Sequence, residues 1–242
     1  MTAILNAVVT GAAGGLGEVF ARHMVRLGHR VVVTDRQACV PLFDDMAEAI
    51  VDMPCDLADP AAVSRFAAIV LERVGPISVL VNNAAIIPVR PFDALDAATF
   101  AQVMQVNVTA AFQLAQAFAP AMKAARWGRI VNLSSSTVWG PPKNMAAYAT
   151  SKMGVIGLTR ALAAEFGDFG ITVNAISPGL THHAGSAAAL PAAAFDAVRA
   201  RQFVPRTLEP EDLLGVLSML VADGSSMVTG QVMNVDGGGF GF

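Results

Sequence analysis

Apolar and polar positions along the chain change period repeatedly, and each change predicts an element. Residues 4–10 form a short β-branched run that reads as a strand; it stops at Gly11 Ala12 Ala13 Gly14 Gly15 Leu16 Gly17, and residues 18–27 then carry helical spacing. Arg30 Val31 Val32 Val33 Thr34 predicts a second strand ending at Asp35. A short helix over 42–49 and a third strand over 50–53 follow, then a helix over 60–74 and a buried parallel-type strand over 77–81 that ends in Asn82 Asn83 Ala84 Ala85. Residues 100–121 read as one long helix, 129–133 as a strand, and the segment from about Met145 to Phe166 as a helix. The strand over 171–176 ends in Ser177 Pro178 Gly179, and a final helix over 210–221 and strand over 228–235 close the pattern. Between them lies an Ala-rich, weakly periodic segment, about 180–210, with the character of a mobile lid over a site. No repeat or linker divides the 242 residues. Strands alternating with helices predict an α/β fold: a single domain over 1–242 built on one doubly wound parallel sheet.

Composition narrows what such a domain does. Hydrophobic residues make up 54% and charged residues 14%, with a mean hydropathy of +0.53, more apolar than average usage. Surplus apolar surface of this kind usually ends in subunit contacts, and the Phe240 Gly241 Phe242 tail is a candidate for one, or for closing a neighbour's pocket. No apolar run approaches the roughly 18 residues of a membrane span, and the first residues lack the basic region of a secretory signal, which points to the cytoplasm. A net charge of −3 without a basic cluster argues against nucleic acid or an anionic membrane as the main partner. Cys39 and Cys55 form neither a metal-ligand spacing nor a disulfide framework and read as reduced, structural thiols; no metal is expected.

The strand, glycine turn and helix at the start have the form of a dinucleotide-binding unit. Its glycines let the backbone approach a pyrophosphate resting on the free N–H groups of the helix. Asp35, at the end of the next strand, stands where a carboxylate takes the adenosine ribose hydroxyls and repels a 2′-phosphate, which favours NAD; Arg36 beside it could pair with that phosphate, so NADP stays open. Asp56 and Leu57 are placed for the adenine edge, and asparagine at the end of the fourth strand can satisfy loop backbone groups.

Tyr148 is the one tyrosine of the chain, and on a helix it shares a face with Lys152, four residues on. A cation held beside a phenol favours the phenolate and brings it toward the working range of a general acid or base. Ser135, at the end of a strand, can hydrogen-bond the substrate oxygen whose proton Tyr148 gives or takes. Asn107 sits among Val106, Val108, Ala110 and Ala111, where a buried amide needs partners: it caps a local kink or anchors a water leading toward Lys152.

Taken in order, Thr10-Gly11-xxx-Gly15-x-Gly17, Asp56-Leu57, Asn82-Asn83-Ala84, Asn107, Ser135, Tyr148-xxx-Lys152, Asn174 and Pro178-Gly179 resemble the signatures of the short-chain dehydrogenase/reductase family over nearly the whole chain. The resemblance implies a seven-stranded Rossmann-type sheet with helices on both faces, and commonly a homotetramer. It also implies a catalytic set of Asn107, Ser135, Tyr148 and Lys152, with Tyr148 as acid/base, Ser135 orienting the carbonyl or alcohol, Lys152 binding the nicotinamide ribose and lowering the Tyr148 pKa, and Asn107 holding a relay water. The cofactor set comprises Gly11, Gly14, Gly15, Leu16, Gly17, Asp35, Asp56, Leu57, Asn83, Ala84, Tyr148, Lys152, Pro178, Gly179 and Thr181.

Two positions depart from the family pattern. Ala85 replaces the usual glycine after Asn-Asn-Ala, and His183 stands where a threonine usually contacts the nicotinamide carboxamide, a place Thr181 can take instead. Val89, Ser135, Thr137, Trp139, Met145, Tyr148 and Leu180 are the expected substrate contacts, Trp139 either stacking on a ring or plugging the core. Such largely apolar walls suit a secondary alcohol or ketone, oxidised or reduced with NAD(H). The alternatives are an NADPH-dependent ketoreductase of the 3-oxoacyl-carrier type and a non-enzymatic dinucleotide-binding regulator; the intact acid-base set argues against the last.

Overall fold

The computed structural model describes residues 5–240. Seven strands, β1 Asn6–Thr10, β2 Arg30–Thr34, β3 Ile50–Asp52, β4 Val79–Asn82, β5 Gly128–Leu133, β6 Ile171–Pro178 and β7 Val232–Val235, pair in parallel throughout. Among the described residues eight α-helices accompany them: α1 Gly15–Arg26, α2 Pro60–Arg73, α3 Ala97–Met104, α4 Ala110–Ala125, α5 Ala146–Phe166, α6 Ala184–Ala189, α7 Ala192–Arg199 and α8 Leu214–Val221.

The strand order is β3-β2-β1-β4-β5-β6-β7. The chain therefore runs outward from β1 to β3 and resumes on the other side of β1 with β4. Ligands of such sheets bind beyond the carboxyl ends of the strands, where the order reverses. Here that point is marked by Thr10, at the end of β1, and Asn82, at the end of β4.

Successive strand residues point to opposite faces, and both faces are covered, which is why the strands read as continuous apolar runs. Val8, Val32, Leu80 and Ile130 pack with Phe66 of α2, Phe118 of α4 and Phe166 of α5. Their neighbours Val9, Val33, Val81 and Val131 pack with Phe20 and Met24 of α1 and Leu217 and Leu220 of α8. One layer of helices on each side leaves only the strand ends open.

The structure corrects two expected elements. Residues 42–49 do not form a helix: they contribute to two single turns of 3-10 helix, Val40–Leu42 and Asp44–Met46. Distant groups hold this shape. The Asp52 carboxylate accepts from Cys39 N and Val40 N at 2.7 and 2.9 Å, and Arg22 reaches across to Asp45 at 2.8 Å and to the Leu42 carbonyl. The long helix expected over 100–121 is interrupted by a π turn, Gln105–Thr109, between α3 and α4. It also starts earlier than expected, because the Asp96 carboxylate caps it through Thr99 N at 2.7 Å.

After Gly179 the Ala-rich segment forms α6 and α7. Neither helix has a buried residue, which accounts for its weak periodicity. Among the described residues no helix is long and apolar enough to cross a membrane, and no cluster of His, Cys, Asp or Glu could hold a metal ion. Ile4, the expected start of the first strand, and Gly241 and Phe242 of the expected tail contact lie outside the described residues.

Candidate active site

A cleft of about 1020 Å³ opens at the carboxyl ends of the strands and runs from the glycine turn to the β5–α5 loop. Its floor at one end is the turn after β1. A Cβ on Gly17 would sit 2.0 Å from the Gly11 carbonyl oxygen and 2.7 Å from Asn83 Nδ2, so only glycine lets α1 start against the turn. At Gly14, by contrast, φ is +140° and a Cβ would meet nothing within 4 Å, because that face looks into the open cleft. Gly14 caps α1 without a side-chain hydrogen bond, so the first N–H groups of the helix keep their polarity for a ligand.

The turn is fastened to β4. Asn83 Nδ2 donates to the Thr10 and Gly11 carbonyls at 2.9 and 3.1 Å, and Thr10 Oγ1 accepts from Asn83 N and Ala84 N at 3.0 Å. Asp35, half-buried at the end of β2, accepts from Arg36 N at 2.7 Å and from Ala13 N at 3.3 Å. Arg36, Asp56 and Leu57 complete this end of the cleft, with the Asp56 carboxylate accepting from Ala58 N at 2.9 Å. A glycine-floored turn against an uncapped helix start, with a carboxylate at the next strand end, is a donor and acceptor set that fits a dinucleotide.

The chemistry gathers at the ends of β5 and α5. Ser134 Oγ donates to the Lys152 carbonyl at 3.0 Å and Lys152 Nζ to the Leu133 carbonyl at 2.6 Å, which pins the helix to the strand. Tyr148 and Lys152 lie on the buried face of α5, 7% and 3% exposed, with Nζ 5.7 Å from the phenol ring centroid. Ser135 Oγ takes Thr137 N at 3.2 Å and Thr137 Oγ1 at 3.0 Å, and it hydrogen-bonds the Tyr148 hydroxyl. With Thr137 supplying donors, the Ser135 proton is directed at the phenol oxygen or at a substrate oxygen in its place.

The expected lowering of the Tyr148 pKa is corrected. Burial raises it, and the Ser135 hydrogen bond offsets only part of that rise. Lys152 is itself deeply buried, and desolvation brings its ammonium down to about 8, so that it stays charged at neutral pH but gives up its proton just above it. The pair is therefore a phenol that resists ionising above an ammonium that readily gives up its proton.

Asn107 sits inside the π turn, behind the cleft rather than in its wall. Its Oδ1 accepts from Ile86 N at 2.9 Å, and its Nδ2 donates to the Ile86 carbonyl at 3.1 Å and to Ser151 Oγ at 2.9 Å. Ser151 Oγ in turn donates to the Tyr148 carbonyl at 2.7 Å. The amide bridges outward from the kink rather than capping it, and both its N–H groups are taken, so neither holds a water. Ser151, three residues beyond Tyr148 on the buried face of α5, was missed by sequence reasoning, although its helical spacing from Tyr148 was there to read.

The cleft brings together Gly11, Gly14, Gly15, Leu16, Asp35, Asp56, Leu57, Asn83, Ala84, Ser135, Tyr148, Lys152, Pro178, Gly179 and Thr181. It also takes in Val89, Thr137, Met145 and Leu180 at the expected substrate end. Gly17 lies beneath the turn rather than in the wall. Trp139 is absent from the wall as well: the 3-10 turn Ser136–Val138 carries it away. His183, Lys143, Arg201 and Phe240 line the cleft too.

Residues 11–239 match a family profile described as Enoyl-(Acyl carrier protein) reductase. The chain belongs to the short-chain dehydrogenase/reductase family. Within it, the 3-oxoacyl-[acyl-carrier-protein] reductase MabA of Mycobacterium tuberculosis is 33% identical, covering 96% of this chain and 92% of that one. The (2S)-[(R)-hydroxy(phenyl)methyl]succinyl-CoA dehydrogenase subunit BbsD of Thauera aromatica is 34% identical, over 96% and 95%. The crystal structure of a gluconate 5-dehydrogenase from Burkholderia cenocepacia, in complex with NADP and tartrate, superposes with a TM-score of 0.90 at 31% identity, covering 97% of this chain and 95% of that one. As a member of the family the chain is an NAD(P)-dependent oxidoreductase acting on a CH–OH group or its ketone.

Proposed function

We propose that this enzyme interconverts a largely apolar secondary alcohol and its ketone with NAD(H), Tyr148 acting as general acid/base. The observation that carries this reading is the hydrogen-bonded Ser135 and Tyr148 hydroxyls in the cleft wall, with the buried Lys152 ammonium below them. When bound, the dinucleotide supplies or accepts the hydride. In the reducing direction Ser135 orients the carbonyl by hydrogen-bonding its oxygen, and Tyr148 gives that oxygen its proton. Burial favours the neutral phenol, so the proton is in place before reaction. Lys152, with its pKa near 8, then serves as the next proton holder. A water continuing the relay at Asn107 would have to bind an oxygen of that residue; the side chain holds Ser151, and through it the Tyr148 backbone.

NAD is preferred in this reading because Asp35 stands at the ribose end and repels a 2′-phosphate. Titration with NADH and NADPH tests it, tighter NADPH binding counting against it. Supply of secondary alcohols with NAD, followed by nucleotide absorbance, tests the substrate class. Exposed Phe112 on α4 and Met153 on α5 support assembly into a homotetramer, which sedimentation would check.

A second reading, reduction of a 3-oxoacyl group on a carrier with NADPH, draws on charge. Lys143 and Arg201 line the substrate end with no ion-pair partner among the described residues, and Arg36 lines the ribose end. Higher kcat/KM for a 3-oxoacyl thioester than for neutral alcohols and ketones, together with NADPH preference, would favour it.

A further inference from the structure

His183 belongs to the segment after β6, yet its ring lies on the glycine turn after β1. A Cβ on Gly15 would stand 3.1 Å from His183 Nδ1 and 3.2 Å from Cε1, and a Cβ on Gly185 would stand 3.2 Å from Cε1. Glycines on both sides of this ring edge leave it the space it occupies. Nδ1 accepts from Ser186 N at 3.4 Å and so caps α6. The Ser186 hydroxyl accepts from His183 N at 3.0 Å and donates to the Thr181 carbonyl at 2.8 Å. An acceptor at Nδ1 fixes the tautomer of the neutral ring, whose proton then sits on Nε2. Burial and the neighbouring His182 both favour that neutral form. Nε2 has no hydrogen-bond partner among the described residues, and the ring lines the cleft beside Gly14 and Gly15.

We propose that His183 is a dinucleotide-positioning residue: its Nε2–H donates to a phosphate oxygen of the cofactor, so that the pyrophosphate is held between the start of α1 and the first turn of α6. The proposal rests on the dinucleotide cleft described above. It gives the histidine a purpose at a position where the family usually carries threonine. It also couples the two ends of the cleft, because Leu190, Ala194, Val198 and Arg201, on the same segment, line the substrate end. Cofactor held at His183 fastens the segment that forms the substrate wall.

The test compares wild type with His183→Asn and His183→Ala. Asparagine keeps a good N-cap acceptor for α6 but has no donor at the reach of Nε2; alanine removes both. NADH, NADPH and ADP-ribose are titrated by protein fluorescence or calorimetry. A hydrogen bond to a charged oxygen predicts that ADP-ribose and the preferred dinucleotide bind about 10- to 100-fold more weakly to both variants, while His183→Asn melts within a few degrees of wild type. A second readout is trypsin cleavage at the exposed Arg199 and Arg201 with the dinucleotide at ten times each protein's own Kd. Wild type is protected and His183→Asn is not. Binding by His183→Asn within twofold of wild type overturns the proposal, and so does weakening confined to His183→Ala, which would leave only a capping role. If wild type itself binds neither NADH nor NADPH, the cofactor reading of the cleft fails first and this inference with it.

Discussion

Replacing Tyr148 by phenylalanine removes one oxygen from the centre of the site and leaves its packing in place. The ring is 7% exposed in the wall of the cleft, and the shape of phenylalanine fills the same space. The hydroxyl's partner is Ser135, whose Oγ keeps the two hydrogen bonds it accepts from Thr137, and whose own proton, losing the phenol oxygen, faces the open cleft and can turn to water. Stability should therefore fall by about 1 kcal/mol or less. Turnover should fall far more. A positioned general acid contributes about 10²- to 10⁴-fold, or about 3–5 kcal/mol at 1.36 kcal/mol per decade, and the proton carried by Tyr148 has no other donor of matched geometry beside Ser135. The assay follows nucleotide absorbance at saturating dinucleotide for wild type and Tyr148→Phe, alongside a fluorescence titration of the dinucleotide. The expected result is a drop of at least 10²-fold in kcat with the dinucleotide Kd within about threefold, since the phenol acts on the reacting oxygen. Turnover within about threefold of wild type would refute the assignment of Tyr148 as acid/base.

Three further outcomes follow from particular contacts. Gly17→Ala places a Cβ 2.0 Å from the Gly11 carbonyl oxygen, a backbone clash no rotamer relieves; a loss of about 1–3 kcal/mol in thermal or urea unfolding and loss of dinucleotide binding are expected. Asp35→Ala should shift the NADPH-to-NADH affinity ratio by about tenfold or more toward NADPH, read by titration of both nucleotides; an unchanged ratio would remove Asp35 from cofactor choice. Lys152 is held down at about 8 from an ordinary 10.5, so the folded state disfavours its charge. The full penalty applies below pH 8, where both states are protonated. As pH rises from 8 to 10.5 the folded lysine is neutral while the unfolded one still binds a proton, and stability from this group rises by on the order of 3 kcal/mol. Lys152→Met should abolish that rise in denaturant titrations across the window; equal slopes for the two proteins would contradict it.

What could be read from the chain, and what could not, divides along contact range. β1, the glycine turn and α1 were legible because apolar period and glycine spacing are local properties of consecutive residues. Tyr148 and Lys152 were legible as a pair because a helix puts i and i+4 on one face. The 3-10 turns at Val40–Leu42 and Asp44–Met46 were not, since Asp52 and Arg22 shape them from elsewhere in the chain. The π turn escaped for a different reason. Buried Val103, Val106, Ala110, Leu114 and Phe118 keep a spacing of three or four residues straight through it, so the extra residue leaves the apolar pattern looking like an unbroken helix.

The sign of the Tyr148 shift shows the same limit acting on chemistry. Sequence establishes that a cation neighbours the phenol, but the outcome depends on how much water each group loses. With Lys152 3% and Tyr148 7% exposed, desolvation acts on both and pushes both toward their neutral forms. A site tuned by proximity alone would hold an ionised tyrosine beside a fixed ammonium. This one holds a proton on the tyrosine and a lysine able to replace it, an arrangement that suits giving a proton to a ketone oxygen at neutral pH. It also makes oxidation of the alcohol the direction that gains more from raising the pH, because Lys152, once it has lost its proton, can take up the one that Tyr148 receives from the alcohol. Initial rates in both directions from pH 6 to 10 would show this: oxidation should rise through about pH 8 while reduction levels or falls. Parallel profiles would mean that the proton held between Tyr148 and Lys152 does not govern the chemical step.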